Sequence, residues 1–429
     1  MGGVTEPRPA VSGSGGVAGA VRWLARSPAR AFAVIFLLAF AEGAALLPYV
    51  PPIALEPNTS WEVQAVAWSL ATKGTFADPY ALPTGPTAHM PPAFPALLAL
   101  LYKIFGLTVT AGRVAWLVQV AGTAAMAGML PWLSRRFGTG AEAGVVGGLA
   151  GAVVPRWPYQ VEYWAAVAIG LLLAWHLRGW QGARRSQGGS LLLGLAWGAA
   201  FHLTPSLLPV LLGCLLLDLW WRQDRRAWAG TAVTLVGVLL ACLPWGWRNY
   251  VALGDVIFVR SNFGLELRMG NHDGAVADLE SVDGPTDIHR HPRAREDEAR
   301  LVQELGEIEY MRRARREALE WIRAHPGRFV RLTAQRMFHF WLGAPSEGMG
   351  ALVSASLTIL ALLGLRRAWR RITAPQRAAF LVPFLTFPLT YYVVVFMPRY
   401  GAPLTGLLLT LAGVEVWGWV GRPTRARLS

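Results

Sequence analysis

The sequence predicts an all-α polytopic membrane protein with about ten transmembrane helices. Of its 429 residues, 54% are hydrophobic and only 15% are charged, whereas charged residues make up about 25% of a typical soluble domain. Several apolar runs also reach the roughly 18 residues that a helix needs to cross a bilayer. We predict spans near residues 31–50, 108–134, 141–156, 160–178, 188–203, 205–221, 228–247, 349–365, 376–396 and 401–420.

Clusters of arginine stand at every second boundary between these runs and predict the orientation of the chain. Because Lys and Arg concentrate in the cytoplasmic loops of membrane proteins, we expect both termini in the cytoplasm. The polar segment 248–347 holds 15 Arg and 16 acidic residues, so the net charge of +14 reflects topology and indicates no nucleic-acid partner. The clusters are Arg22/Arg26/Arg30, Arg135/Arg136, Arg178/Arg184/Arg185, Arg222/Arg225/Arg226, Arg366/Arg367/Arg370/Arg371 and Arg422/Arg425/Arg427.

The first apolar run, Ala31–Val50, is longer than the roughly 7–15 residues of a signal-peptide core, which predicts an uncleaved anchor. Both cysteines, Cys214 and Cys242, fall within apolar runs and are expected to be packed thiols. The predicted organisation is a disordered cytoplasmic tail (1–21), an N-terminal transmembrane region (22–247) with an outer loop (51–107), an extracytoplasmic helical cap (248–347), C-terminal transmembrane helices (348–421) and a second cytoplasmic tail (422–429).

The outer loop 51–107 is predicted to contain two helices that lie along the membrane surface. In Ser60–Lys73, apolar residues recur at helical spacing among polar ones, which is typical of an interfacial helix. The stretch Ala93–Phe105 is mostly apolar but too short to span a bilayer comfortably. The expected boundary residues are Asn58, Thr59 or Ser60 as the N-cap and Gly74 as the C-cap of the first helix, and Gly106 after the second.

The segment 248–347 is predicted to form a small helical cap. Its core, Glu296–Arg323, is rich in Glu, Arg, Leu and Ala, as expected of an exposed helix. The His325-Pro326 pair is expected to end that helix, after which Phe329–Trp341 leads back to the membrane. The loop Asp255–Asn271 leads into the cap from the other side.

Glu62 opens the first interfacial helix and is the candidate catalytic base. A carboxylate beside a membrane is unfavourable unless it is paired or functional, and here it could take a proton from an acceptor hydroxyl. The alternative is a solvated carboxylate that the helix dipole favours in a first turn. A second acid, Glu42, lies within the first span, where it either forms an inter-helix hydrogen bond in its protonated form or belongs to the site.

An arginine–tyrosine pair, Arg399 and Tyr400, lies in the sequence MPRYGAP between the last two predicted spans. An arginine at a membrane boundary often extends toward water, and the functional alternative is a phosphate clamp, because a guanidinium matches a pair of phosphate oxygens. Arg248, in PWGWRNY at the end of another span, is a second candidate for that clamp. Further polar residues could bind sugar hydroxyls or hold the cap together, namely His89, Arg260, Asn262, Glu266 and Asn271.

Neither a metal nor a cofactor is predicted. His89, His202, His289 and His291 share no spacing typical of metal ligands, and nothing else in the sequence supports a divalent cation. The glycine-rich run 144–151 lies in an apolar stretch with no lysine after it. We therefore interpret that run as close helix packing rather than as a phosphate-binding loop.

These motifs resemble those of the GT-C superfamily of membrane glycosyltransferases, specifically the bacterial proteins similar to protein O-mannosyltransferases and to the lipid A aminoarabinose transferase (glycosyltransferase families 39 and 83). In that group, an acidic motif on a juxtamembrane helix precedes a Pro-Pro return to the membrane. Here Glu62 lies two to three residues beyond the usual acidic position, and Met90 stands where a basic residue often occurs. The matching residues are Glu62, Ala67, Leu70, Gly74, Phe76, Pro79, the run 90–106, Pro244, Trp245, Arg248, Asn249, Arg399, Tyr400 and Pro403.

The resemblance implies an enzyme of the bacterial inner membrane that transfers one sugar from a polyprenyl-phosphate donor to an extracytoplasmic lipid, glycan or protein. Glu62 would be the base, and Arg399 and Arg248 would hold the donor phosphate, with Tyr400 orienting the clamp. The sugar would lie under the loop 255–271. The partners would be the donor, the acceptor and membrane lipids, and a monophosphate donor would need no metal.

The sequence leaves two alternatives to a transferase. A transporter or flippase of a lipid-linked saccharide could use Glu62 and Glu42 in a proton relay, and acids paired deep within several spans would favour it. The chain shows no internal repeat of the kind that many transporters have. A non-catalytic scaffold could also retain the same fold.

Overall fold

A computed structural model of the chain describes residues 16–49, 61–153, 162–279 and 290–421. All regular elements in these ranges are helices, apart from isolated β-bridges, so the predicted all-α class is confirmed. Six helical segments in the described ranges are long and apolar enough to cross a bilayer, and the further predicted spans stay a prediction. The six are Pro28–Tyr49, Val109–Arg136, Pro205–Arg222, Arg225–Leu253, Met349–Ala368 and Pro398–Val420.

The α-helices of the described ranges are numbered in chain order. The first ten are α1 (Val17–Ala25), α2 (Pro28–Ala45), α3 (Glu62–Lys73), α4 (Ala93–Phe105), α5 (Val109–Arg136), α6 (Ala141–Val153), α7 (Glu162–Trp180), α8 (Gln187–Leu203), α9 (Leu208–Arg222) and α10 (Arg225–Leu253). The others are α11 (Phe263–Gly270), α12 (Glu296–Leu305), α13 (Glu307–Ala324), α14 (Pro326–Leu342), α15 (Met349–Ala368), α16 (Ala374–Thr386), α17 (Leu389–Tyr392) and α18 (Thr405–Val420).

Glycine ends α3 and α4 where the sequence predicts. Gly74 and Gly106 follow the two helices with φ of 71° and 69°, a conformation that residues with a Cβ rarely adopt. The N-cap of α3 is Trp61, whose side chain makes no capping hydrogen bond. The predicted cap residues Asn58, Thr59 and Ser60 lie outside the described ranges, as do Glu56, His289 and the tails 1–15 and 422–429.

Two helices replace the single helix predicted for the core of the cap. Gly306 separates α12 from α13 with a φ of 76°, which allows the chain to change direction without a steric clash. The predicted break at His325-Pro326 is confirmed, because α13 ends before His325 and α14 begins at Pro326. Proline suits that position, since the first N–H groups of a helix have no helical acceptor.

The predicted span 376–396 is not one continuous helix. α16 and the short α17 are separated around Pro388, whose ring provides no N–H for a continuing helix. The chain after α17 binds the cap: Phe396 N donates to Ala277 O at 2.9 Å, and Leu279 N donates to Phe396 O at 3.4 Å. A 3-10 helix, Pro398–Leu404, then leads into α18.

The glycine-rich run packs α6 between α5 and α18, which confirms the interpretation as close helix packing. A Cβ on Gly144 would lie 2.4 Å from Leu130 O in α5, and a Cβ on Gly147 would lie 2.3 Å from Leu409 O in α18. Any larger side chain would push these backbones apart.

A cavity of about 450 Å³ lies between α2, α5, α6, α15 and α18. Most of its lining residues are apolar, and the polar ones are Glu42, Thr123, Tyr163, Ser356 and Thr405. Four of these helices, α2, α5, α15 and α18, belong to candidate membrane spans, and α6 is a shorter apolar helix. The cavity is therefore mostly apolar and lies among helices that are candidate membrane spans.

Candidate functional site

The loop between α3 and α4 is fixed to the cap by a buried carboxylate. Glu307, at the start of α13, accepts hydrogen bonds from Ala88 N at 2.9 Å, from Ser261 Oγ at 2.7 Å and from Thr87 Oγ1. Burial raises the pKa of Glu307, although these three donors and Arg248 oppose that shift. Because Ala88 is held in this way, His89, the next residue of the loop, has a defined position relative to the cap.

Arg248, near the end of α10, holds the same loop. Its guanidinium donates to Phe76 O and to Thr87 O, both at 2.6 Å, and lies over the rings of Phe76 and Trp245. A phosphate would have to compete with both of these hydrogen bonds. We therefore assign Arg248 a structural role and omit it from the phosphate clamp that its sequence context predicts.

Three potential ligand or proton-transfer groups meet beside this loop. Glu62 Oε1 lies 3.5 Å from Nε2 of His291, and one ligand atom from each of Glu62, His89 and His291 lies within 4.8 Å of the other two. Glu62 is partly exposed, whereas His89 is buried with its Nδ1 3.0 Å from the hydroxyl of Tyr80. We refer to Glu62, His89 and His291 as the acid–histidine cluster.

The hydrogen bonds around the cluster indicate which ring nitrogen of His291 carries a proton when the ring is neutral. Arg293 N donates to Nδ1 of His291 at 3.1 Å, so the neutral ring carries its proton on Nε2, which is directed at Glu62. Burial lowers the pKa of His89 well below its usual value, and the positive charge of Arg260 adds to that effect. Glu62 thus lies opposite a nitrogen of His291 that can donate a hydrogen bond to it.

The loop before α11 places more polar groups around His89. Arg260 Nε donates to His89 O at 2.7 Å, and Arg260 Nη2 lies 3.4 Å from Glu266 Oε1. Asn262 Nδ2 donates to the same Glu266 oxygen at 2.7 Å. Arg260, Asn262 and Glu266 therefore form one connected group beside the cluster, although Asn262 itself is buried.

Asn271, which the sequence suggests for substrate binding, has a structural role instead. It is 1% exposed, and its amide group donates to Leu267 O at 2.7 Å and to Val393 O at 2.8 Å. Arg336, which is fully buried, donates to the amide oxygen of Asn271 at 3.4 Å. These contacts hold the cap against the chain that leads to Arg399.

Arg399 has no hydrogen-bond partner among the residues that the structure describes. Its Nε lies 4.0 Å from Oε1 of Glu162, the first residue of α7, and its side chain is 43% exposed. Its electrostatic interactions also reach Glu62 and Glu266. The guanidinium lies 5.8 Å from the ring centre of Tyr400, which stacks on Tyr391.

Two residues that line the apolar cavity are close along the chain to this charged pair. Tyr163 directly follows Glu162, and Thr405 follows the 3-10 helix that carries Arg399. The chain therefore leads from the cavity lining to a guanidinium that has no hydrogen-bond acceptor among the described residues. That combination suits an amphiphilic ligand with an apolar tail and an anionic head.

Sequence patterns alone did not indicate Tyr80 or His291 as part of a site. His89 and His291 lie in different segments, and hydrogen bonds between the cap and the α3–α4 loop bring them together. Two of these bonds are next to His291: Ala81 N donates to Pro292 O at 3.1 Å, and Arg293 donates to Tyr80 O at 2.9 Å. The HP pair at 291–292 marks a turn but carries no functional signal.

Comparisons with known proteins leave the function to be argued from this geometry. A scan against protein-family models finds no match, and a search of the curated proteins finds none either. The resemblance to GT-C enzymes thus stays a hypothesis that rests on short motifs.

Proposed function

We propose that the chain is a membrane glycosyltransferase of the GT-C type. It would transfer a sugar from a polyprenyl-phosphate donor to a hydroxyl group of an extracytoplasmic acceptor. The proposal rests on Arg399, which makes no hydrogen bond to another residue in the described ranges and has an electrostatic interaction with Glu62. Thr405, six residues further along the chain, lines the apolar cavity. The cavity would hold part of the polyprenyl chain, and the guanidinium would bind the phosphate.

In the proposed reaction, the acceptor oxygen forms a bond to the anomeric carbon while the bond from that carbon to the phosphate oxygen breaks. The electron pair of that bond leaves with polyprenyl phosphate, whose charge Arg399 stabilises. The proton of the acceptor hydroxyl passes to Glu62, which His291 orients through Nε2. Arg260 and Glu266, which contact each other at 3.4 Å, would bind hydroxyl groups of the sugar.

Glu42 supports an alternative in which the chain moves a lipid-linked saccharide across the membrane. Its carboxyl group lines the apolar cavity and could exchange a proton during transport. Two other acids within the membrane helices, Asp218 and Glu415, are each paired with an arginine, which suits a link between helices better than a relay. Transfer therefore remains the preferred proposal.

A transfer assay separates the two functions. Purified full-length chain in nanodiscs is given radiolabelled polyprenyl-phosphate sugars and an acceptor fraction from the envelope, and the labelled product is measured. We expect Glu62→Gln to reduce product formation by about 10²-fold or more, because general-base catalysis contributes about that much. The matched control Glu320→Gln, an exposed acid of α13, is expected to leave it unchanged.

Unchanged transfer in Glu62→Gln would remove Glu62 as the base. Movement of the labelled lipid between leaflets without any product would favour the transporter. Equal size-exclusion profiles of the variants and the wild type verify that the substitutions leave the fold intact.

A further inference from the structure

We propose that Glu62, His89 and His291 bind a divalent transition-metal ion of the zinc type. The proposal rests on the arrangement of these side chains and does not depend on the proposed transferase activity. Two imidazole nitrogens and one carboxylate oxygen form a ligand set that zinc commonly uses, with a fourth position left for water or another oxygen ligand. Magnesium and calcium prefer oxygen ligands, so a site with two histidines selects against them.

The distances suit one ion between the three side chains. Zinc binds nitrogen and oxygen at about 2.0–2.2 Å, which places tetrahedral ligands roughly 3.3–3.6 Å apart. Glu62 Oε1 and His291 Nε2 already lie at 3.5 Å, and the ligand atoms of all three residues lie within 4.8 Å of one another. Shifts of the ligand atoms on the order of 1 Å would therefore bring all three to the separations of a zinc site.

The surroundings of His89 suit a metal ligand. Its Nδ1 lies 3.0 Å from the hydroxyl oxygen of Tyr80, which can accept the Nδ1 proton and leave the Nε2 lone pair for the ion. Arg260 further fixes His89 by donating to its carbonyl oxygen at 2.7 Å. A histidine oriented through its second nitrogen in this way is typical of metal sites.

His291 must exchange one interaction for another. Its Nδ1 accepts from Arg293 N, so the proton on Nε2 has to move to Nδ1 before Nε2 can bind the ion. The imidazole stays neutral in this exchange, and its ring rotates away from the Arg293 N–H. With the ion bound, Glu62 is a ligand that links the α3–α4 loop directly to the cap. The form of the protein in which Glu62 acts as a base is then the metal-free form.

Cobalt(II) is a suitable probe, because it occupies zinc sites and has an absorption spectrum that reports coordination geometry. Bound metal ions are removed from the full chain, without a histidine tag, by a chelator. The protein is then titrated with Co²⁺, and Zn²⁺ is added last as a competitor. We expect one equivalent of Co²⁺ with the intense visible bands of a four-coordinate ion, and loss of these bands when Zn²⁺ displaces it.

Variants identify the ligands. His291→Ala and Glu62→Gln are each expected to weaken Co²⁺ binding by at least about tenfold, and Tyr80→Phe to weaken it by about 10–100-fold, as for other partners of metal-bound histidines. His325→Ala, which removes an exposed histidine of the cap, is the matched control and should bind like the wild type.

Absence of Co²⁺ binding, or equal binding by wild type, His291→Ala and Glu62→Gln, would overturn the proposal. If a variant fails to fold, X-ray absorption of the zinc-loaded wild type provides the test. Scattering from two imidazoles supports the site, whereas sulfur ligands would assign the ion to Cys214 or Cys242 and contradict it. None of these measurements uses transferase activity, so their failure leaves the proposed function untouched.

Discussion

Nε of Arg399 lies 4.0 Å from Oε1 of Glu162, so the chain entering the last helix meets the first residue of α7. At that separation the two side chains attract each other without a direct hydrogen bond. Within the described ranges the guanidinium makes no hydrogen bond, so its donors are available there for the proposed phosphate clamp.

Substitution of Arg399 is predicted to weaken donor binding. In the transfer assay, Arg399→Ala should raise the KM for the polyprenyl-phosphate donor by about 10–100-fold, since hydrogen bonds to charged groups contribute about 1.5–3 kcal/mol. Arg399→Lys keeps the positive charge but lacks the planar guanidinium. Its KM for the donor should therefore lie between the values of the wild type and of Arg399→Ala. Arg370→Ala, at an exposed position after α15, is the control. A wild-type KM in Arg399→Ala would exclude the clamp.

Glu307 is predicted to be important for stability rather than for chemistry. Glu307→Ala leaves Thr87 Oγ1, Ala88 N and Ser261 Oγ without their acceptor. We expect the free energy of unfolding to fall by about 2–5 kcal/mol, measured by denaturant titration in detergent. The neighbouring Glu309→Ala, which removes an exposed ion pair, should have little effect. Equal stability of both variants would refute the anchoring role of Glu307.

Acid is predicted to destabilise the cap through His272. Burial lowers its pKa from 6.5 to about 4, with Arg290 and Arg268 adding to the shift. The unfolded chain therefore binds a proton near pH 6.5 that the folded chain takes up only near pH 4. The associated stability, on the order of 2–3 kcal/mol, is complete above pH 6.5 and is lost as the pH falls toward 4.

The pH dependence of the unfolding midpoint tests this prediction. His272→Gln should reduce the slope of the unfolding midpoint against pH between pH 6.5 and 4. The slope that remains is expected to come partly from His89, because burial also lowers the pKa of His89. The exposed His325→Gln should keep the wild-type slope. An unchanged slope in His272→Gln would show that this histidine is not buried in its neutral form.

Close contact between α15 and α18 is predicted to depend on Gly364. A Cβ there would lie 1.8 Å from Leu411 O, so Gly364→Ala must separate the helices and should cost about 1–3 kcal/mol. Gly327→Ala in α14 has no atom within 4 Å of the added Cβ and should be neutral or slightly stabilising. Thermal unfolding of both variants provides the comparison, and equal midpoints would contradict the packing.

Local signals in the sequence were enough for many helix boundaries. Gly74, Gly106 and the His325-Pro326 pair were predicted correctly, because positive φ and the missing proline N–H act within a few residues. Gly306 was missed because the Glu- and Arg-rich pattern continues on both sides of it. The break near Pro388 was missed for a similar reason, since hydrophobicity continues through it.

Partners far apart in the chain could not be predicted. The sequence does not reveal that Arg248 bonds two carbonyl groups of the α3–α4 loop, or that the amide of Asn271 faces Val393. His291 reaches Glu62 only because the cap folds back on that loop. The sequence shows which side chains could act as bases, ligands or phosphate-binding groups. Tertiary packing decides which of these side chains are already hydrogen-bonded within the protein.

A density map of the protein in nanodiscs with bound polyprenyl phosphate is the most direct test of the phosphate clamp and the lipid site. We expect phosphate density against the guanidinium of Arg399 and isoprenoid density in the cavity lined by Glu42 and Tyr163. Phosphate density at another site, with Arg399 unoccupied and the cavity empty, would contradict this expectation.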